Sequence, residues 1–190
     1  MQPNEQDRPS AVLKAEHQVI LRVLCVLDKL ADRIEQGGEF PQKPLAQCVK
    51  FFRLFADACH HAKEEDLLFP VLESRGIPRD GGPIGVMLYE HQVARGLTRD
   101  MADALNAVGA DAGAQSRFLR AARQYHELLT QHIFKEDNVL FNMGDRVLNP
   151  EDQSTMASRF CEVNCRVFEG KRREELSRIA DDLESDCGDA

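Results

Sequence analysis

Tryptophan is absent from this 190-residue chain, and tyrosine occurs only twice. Cationic residues are in deficit: Lys and Arg total 24 against 32 Asp and Glu, a net charge of −8. A phosphate-binding surface needs clustered Lys and Arg, so nucleic acid and anionic membrane are not expected as partners. No apolar run approaches the roughly 18 residues of a bilayer span. Period-2 alternation of useful length is missing, which excludes a sheet protein and leaves an all-α fold. The stretch Met1 to Pro9 is polar and lacks the apolar centre of a secretory signal. The cytoplasm is therefore the expected location. There the six cysteines (Cys25, Cys48, Cys59, Cys161, Cys165 and Cys187) do not imply disulfides. Cys25, Cys48 and Cys59 read as small core residues. Cys161 and Cys165 are spaced to share a helix face, without the further ligands a thiol metal site needs.

What is present is helical periodicity with polar residues in the wrong place. In the stretch from His132 to Phe141, His132 and Glu136 are four residues apart and stack on one helix face. The same face carries Phe118, Ala122, Tyr125, Leu129, Val139 and Met143, so the pair sits in an apolar seam. A buried carboxylate costs several kcal/mol unless it is paired or coordinates a metal. A single pair of this kind can satisfy itself in a core.

The rest of the chain supplies more. Residues 1–8 read as a disordered tail. A first helix opens at Pro9-Ser10, with Ser10 as N-cap. Its seam is Leu13, His17, Ile20, Leu24, Leu27, Ala31 and Ile34, and Gly37-Gly38 stops it. A second helix runs from about Leu45 to Ser74, with a distorted turn expected at Pro70. A third opens near Pro83 on the seam Ile84, Met87, His91, Ala94, Thr98, Met101, Leu105 and Val108. The fourth spans about Ala114 to Asn142, and Gly144 to Pro150 reads as a turn. Four long helices with short connections predict an up-down-up-down four-helix bundle over residues 9–145. Residues 146–190 are expected as a helical extension and a solvated acidic tail.

The chain also repeats itself. Glu16-His17-Gln18-Val19 recurs as Glu90-His91-Gln92-Val93, and Lys63-Glu64 through Phe69 recurs as Lys135-Glu136 through Phe141. Each hairpin thus carries one isolated seam histidine and one His-x3-Glu pair. His60 with Glu64 and His61 with Glu65 both have that spacing, and the seam does not separate them. Aligning the repeats sets Glu64 on Glu136 and His60 on His132, which leaves His61 and Glu65 either supporting the ligands or on the surface. Four histidines and two carboxylates on the core seams of four helices predict a binuclear metal site built from His17, His60, Glu64, His91, His132 and Glu136. Imidazole with carboxylate suits iron or manganese, and zinc less exclusively. Glu16 and Glu90 point about 100° away from their histidine neighbours; each either hydrogen-bonds a histidine of another helix or lies on a solvated face. Tyr125 either places its phenol above the metals or is a core residue with its hydroxyl at the rim. His126 lies off the seam.

These motifs resemble the hemerythrin-like family of HHE cation-binding domains. The matching pieces are Glu16-His17, His60 with Glu64-Glu65 and Leu68-Phe69-Pro70, Gly82-Pro83-Ile84 through Glu90-His91, and His132 with Glu136 through Phe141. The resemblance implies two iron ions, joined through an oxygen or a carboxylate, with manganese or zinc as alternatives, and dioxygen, nitric oxide or peroxide as ligand. The oxygen carriers of that family have a second histidine on the third helix, four residues from the first; here those places hold Met87 and Arg95. Their fourth-helix carboxylate is an Asp five residues after the histidine, where this chain has Glu136 four after it. The pattern is similar to the bacterial type with four His and two Glu. Sensing, storage or stress defence is the implied role, with peroxide removal or iron-donating repair of iron–sulfur clusters as the alternative. The repair proteins carry an additional N-terminal cysteine-containing domain, for which no room is expected before Ser10. A homodimer is compatible with this reading, and no protein partner is indicated.

Overall fold

The computed structural model describes residues 8–188, so the expected N-terminal tail lies outside the described residues up to Asp7. Among them six helices occur, with no strand beyond an isolated bridge between Phe168 and Lys171. Helix α1 is Pro9–Glu35. Helix α2 is continuous through Gln42–Phe51, Phe52–His61, Glu64–Leu68 and Phe69–Ser74. Helix α3 is Pro83–Ala107. Helix α4 joins Ala114–Lys135, Glu136–Leu140 and Phe141–Val147. Helices α5 (Pro150–Asn164) and α6 (Arg173–Gly188) follow the bundle. None of the described helices is long and apolar enough to cross a membrane.

The helix starts differ from the sequence reading in one respect. Arg8 occupies the N-cap position and Pro9 the first turn, where a missing N–H costs nothing. Ser10 lies inside α1, and its hydroxyl donates to Asp145 Oδ1 at 2.7 Å, tying α1 to the end of α4. That end is longer than expected, because Gly144 does not stop the helix. A Cβ there would stand 3.1 Å from Leu72 Cδ2, so glycine lets α4 lie close against α2.

Two stretches of α2 and one of α4 are π-helical: Phe52–His61, Glu64–Leu68 and Glu136–Leu140. An i→i+5 turn holds one more residue than an α turn, so it shifts the buried seam by one position. The apolar face of α4 accordingly passes from Glu136 to Leu140 and Phe141, both buried, while Val139, expected inside, is half exposed. Distortion was expected in α2 from Pro70. The matching segment of α4 is π-helical without any proline, so the widened turn belongs to the repeated His-x3-Glu stretch itself.

The core has two parts. One, from Ile20, Leu24, Phe52, Phe55, Ala94, Phe118 and Leu129, fills one end of the bundle. The other, from Leu13, Leu67, Phe69, Leu72, Met87, Leu140 and Phe141, fills the opposite end. A layer of buried polar residues lies between them on all four helices: His17, then His60, His61, Lys63 and Glu64, then His91, and His132 with Glu136.

The C-terminal segment is not a solvated helix. Helix α5 is capped by a reciprocal Asn149–Asp152 box and buries Met156, Phe160 and Val163 in the second core. Helix α6 buries Leu176, Ala180 and Leu183 in the first. It runs parallel to α1, with Arg22 bonded to Asp181 at 2.7 Å and Glu184 Oε2 at 2.9 Å. The acidic stretch expected as a tail therefore partly docks. Cys25, expected in the core, is exposed, whereas Cys48 and Cys59 are buried.

Candidate metal centre

The repeat places matching side chains in one layer, and the structure groups their donor atoms twice. His17, His60, Glu64 and Glu136 form one cluster; His61, Glu64, His91 and His132 form the other. Within each cluster the donor atoms lie within 4.8 Å of one another. Glu64 belongs to both. Its Oε1 is 3.4 Å from His60 Nε2 and its Oε2 is 3.5 Å from His91 Nε2. Glu136 Oε2 stands 3.2 Å from His17 Nε2 and 3.3 Å from His132 Nε2. All seven residues are buried to 2 % exposure or less.

His61 is the residue the repeat had set aside. It occupies the end of the first π segment of α2, where the wider turn brings neighbouring side chains closer in direction, so His60 and His61 both enter the core. The His61 ring stacks on His91 with centroids 3.8 Å apart. Position 133, its counterpart in the second hairpin, is isoleucine, so the repeat carried no signal for a fifth ring. The third-helix place four residues after His91 holds Arg95, which donates to Asp57 at 2.7 Å and to Glu65 at 2.8 Å.

Each of the five imidazoles faces a carboxylate through its outer nitrogen. His60 Nδ1 pairs with Glu16 at 3.0 Å and His132 Nδ1 with Glu90 at 2.9 Å. His17 Nδ1 pairs with Asp137 at 2.8 Å, His91 Nδ1 with Glu65 at 2.6 Å, and His61 Nδ1 with Asp57 at 3.4 Å. Such bonds fix ring orientation and tautomer, leaving Nε2 free to act as donor to a cation. Glu16 and Glu90 thus take the first of their two sequence readings, each bonding the histidine on the facing helix of its own hairpin. Asp137 and Glu65, each next to a clustered glutamate, do the same across the bundle. Lys63 holds Glu16 and Lys135 holds Glu90, again at repeat positions.

On the inner side, His91 Nε2 and His132 Nε2 lie 3.1 Å apart, and other inner atoms have no hydrogen-bond partner. His17 Nε2, His60 Nε2 and both carboxylate oxygens of Glu64 and of Glu136 are buried without a hydrogen bond. Unpaired buried carboxylates are costly, and native cores seldom contain them. Burial drives the Glu64 carboxyl well above its usual range, and the Glu136 charge beside it adds to the rise. Burial also opposes ionisation of Glu136, but His132 and His17 outweigh it and hold that group low. Burial depresses His60 to about 4, while at His132 the Glu136 and Glu90 carboxylates overcome burial and raise it to about 9. Five nitrogen donors and two carboxylates converging on one buried layer fit bound metal cations.

Tyr125 lies in the neighbouring apolar layer, its ring 4.8 Å from Phe52, and burial keeps its phenol protonated.

A four-helix bundle with a buried, doubled histidine–carboxylate layer is a cation-binding bundle by architecture. The description Hemerythrin HHE cation binding domain matches residues 8–143, and the chain belongs to that family. An uncharacterised protein of Mycobacterium tuberculosis is 27 % identical over 171 residues, covering 89 % of this chain and 66 % of its own length. An uncharacterised protein of Mycobacterium bovis aligns equally well. The iron-sulfur cluster repair protein YtfE of Dickeya chrysanthemi is 28 % identical over 124 residues, 60 % of this chain and 54 % of that protein. The chain thus spans just under two thirds of the length of the mycobacterial relatives and about half of the repair protein. No solved structure matches.

Proposed function

We propose that this chain is a non-haem di-iron protein that binds a small ligand (dioxygen, nitric oxide or peroxide) for sensing, storage or stress defence in the cytoplasm. The observation that carries it is the set of six buried inner atoms on His17, His60, Glu64 and Glu136 that no protein group satisfies. One ion would be held by His17, His60, Glu64 and Glu136, and the other by His61, Glu64, His91 and His132. Glu64 is common to both sets and supports a bridging role. This set adds His61 to the six ligands read from the sequence.

When bound, iron would supply a Lewis-acidic, redox-active centre for a small ligand. The chain's own part is positional. Five outer carboxylates hold the five rings, and Lys63, Lys135 and Arg95 hold four of those carboxylates. Apolar layers at both ends exclude water from the centre. The repair relative favours a second reading, iron donation to damaged iron–sulfur clusters.

The test is anaerobic loading of metal-free protein with ferrous iron, followed by rapid mixing with dioxygen, nitric oxide or hydrogen peroxide. Two iron ions per chain and a stable optical adduct are expected. Continued turnover of peroxide would show an enzyme instead, and iron loss to an apo iron–sulfur acceptor would favour repair. Failure to retain any iron would overturn the di-iron reading.

A further inference from the structure

The two hairpins of the centre are built from one repeat, and their matched outer carboxylates, Glu16 and Glu90, differ in one partner. Glu16 and Glu90 occupy equivalent positions. Each accepts from a histidine Nδ1 through Oε2 and from a lysine through Oε1. Glu16 has an additional partner, because Arg173 Nε donates to its Oε1 at 2.9 Å. Arg173 opens α6 and lies outside residues 8–143 that match the family. Among the described residues, no arginine plays this part at Glu90.

The contact is built from several sides. A two-residue turn at Glu169-Gly170, with φ of 48° and 81°, closes between Phe168 and Lys171 and aims the chain back at α1. The Arg173 guanidinium lies 5.9 Å from the centre of the Phe55 ring. Lys63, fully buried, sits 6.0 Å from the Phe160 ring of α5. Both cations on Glu16 are therefore packed against aromatic faces, and α5 and α6 each contribute to that packing. By contrast Glu90 is held by one lysine, Lys135, whose side chain is 37 % exposed, and by no arginine among the described residues.

We infer that Arg173 is a positioning residue of the metal centre, through which the C-terminal extension adds an outer-contact difference to the unlike donor sets of the His17–His60 and His91–His132 halves. A carboxylate shared by two basic side chains accepts less strongly from His60 Nδ1–H than one held by a single lysine accepts from His132. His60 is accordingly the less electron-rich donor of the equivalent pair, and it is the more rigidly held. Outer partners of this kind tune a bound ion through its ligand without touching it.

This inference rests on the di-metal reading, and the experiment separates the two. Cobalt(II) is the probe, because its visible bands report each ion's ligand field. Wild-type protein, R173Q, R173K and R22A are loaded with cobalt, and spectra and chelator-driven release are recorded. In wild type, two cobalt ions per chain and two release phases are expected. In R173Q one phase accelerates several-fold, less than the roughly 10–100-fold lost when a direct outer partner is removed, and one set of bands shifts. R173K keeps a cation and restores both. R22A loosens α6 two turns away and leaves the bands unchanged. A wild-type protein that takes up no cobalt overturns the di-metal reading itself. Two bound cobalt ions with identical spectra and release in R173Q overturn only the role of Arg173. So does an equal band shift in R22A, which would trace the effect to helix docking alone. Thermal melting of metal-free R173Q, expected within a few degrees of wild type, excludes misfolding as the cause.

Discussion

Glu64 presents one carboxylate oxygen to His60 and the other to His91, at 3.4 and 3.5 Å, so a single side chain faces both donor clusters. Replacing it with alanine removes a donor from each. Glu64→Ala is expected to lower metal content from two ions to well below one per chain, read by elemental analysis after gel filtration. Retention of two ions would show that Glu64 is not shared.

His61 separates the structural ligand set from the one read in the repeat. The sequence reading expects His61→Ala to keep its metal, with His60→Ala and His132→Ala losing it. The cluster containing His61, Glu64, His91 and His132 implies instead that His61→Ala drops to about one ion per chain while retaining its helical circular dichroism. Two ions in His61→Ala would restore the six-residue set.

Glu16 links the centre to acid stability. Burial by itself would raise its carboxyl, but the His60 and Lys63 contacts prevail and lower it from 4.5 to about 2. The folded value lies below the unfolded one, so this contribution is complete above about pH 4.5 and is lost as pH falls through 2. It amounts to about 3 kcal/mol at most. Metal-free Glu16→Gln should be destabilised by about that much at pH 7, where Lys63 keeps no carboxylate. The gap from wild type should narrow as pH drops from 4.5 toward 2. Urea unfolding at several pH values measures it, and a gap independent of pH would contradict it.

Helix α6 is held by burial as well as by charge. Leu176 is fully buried, and Leu176→Ala should cost about 2–5 kcal/mol in urea unfolding. An unchanged midpoint would mean that α6 does not pack against the bundle in solution.

Much of this protein follows from local rules. Helical periodicity with few breakers dictates an all-α chain, because a 3.6-residue seam of apolar side chains has to be buried against other helices. The two matched hairpins place His17, His60, His91 and His132 at one level, since the stretches of 43 and 41 residues between matched histidines carry nearly equal rises. Glu64 and Glu136 follow from the same spacing. Tertiary structure decided the rest. The π turns that shift the seam to Leu140 and admit His61 depend on hydrogen bonding one residue farther along, which residue identity at 3–4 spacing does not reveal. Asp57 and Asp137 read as ordinary acidic residues of a helix surface until the facing histidine is in place. Arg173 is 157 residues from Glu16 in the chain, and only the docking of α6 along α1 brings the two together. A periodic pattern specifies which face of a helix turns inward; which groups meet there, and which charge balances which, is set by the packing of helices distant in sequence.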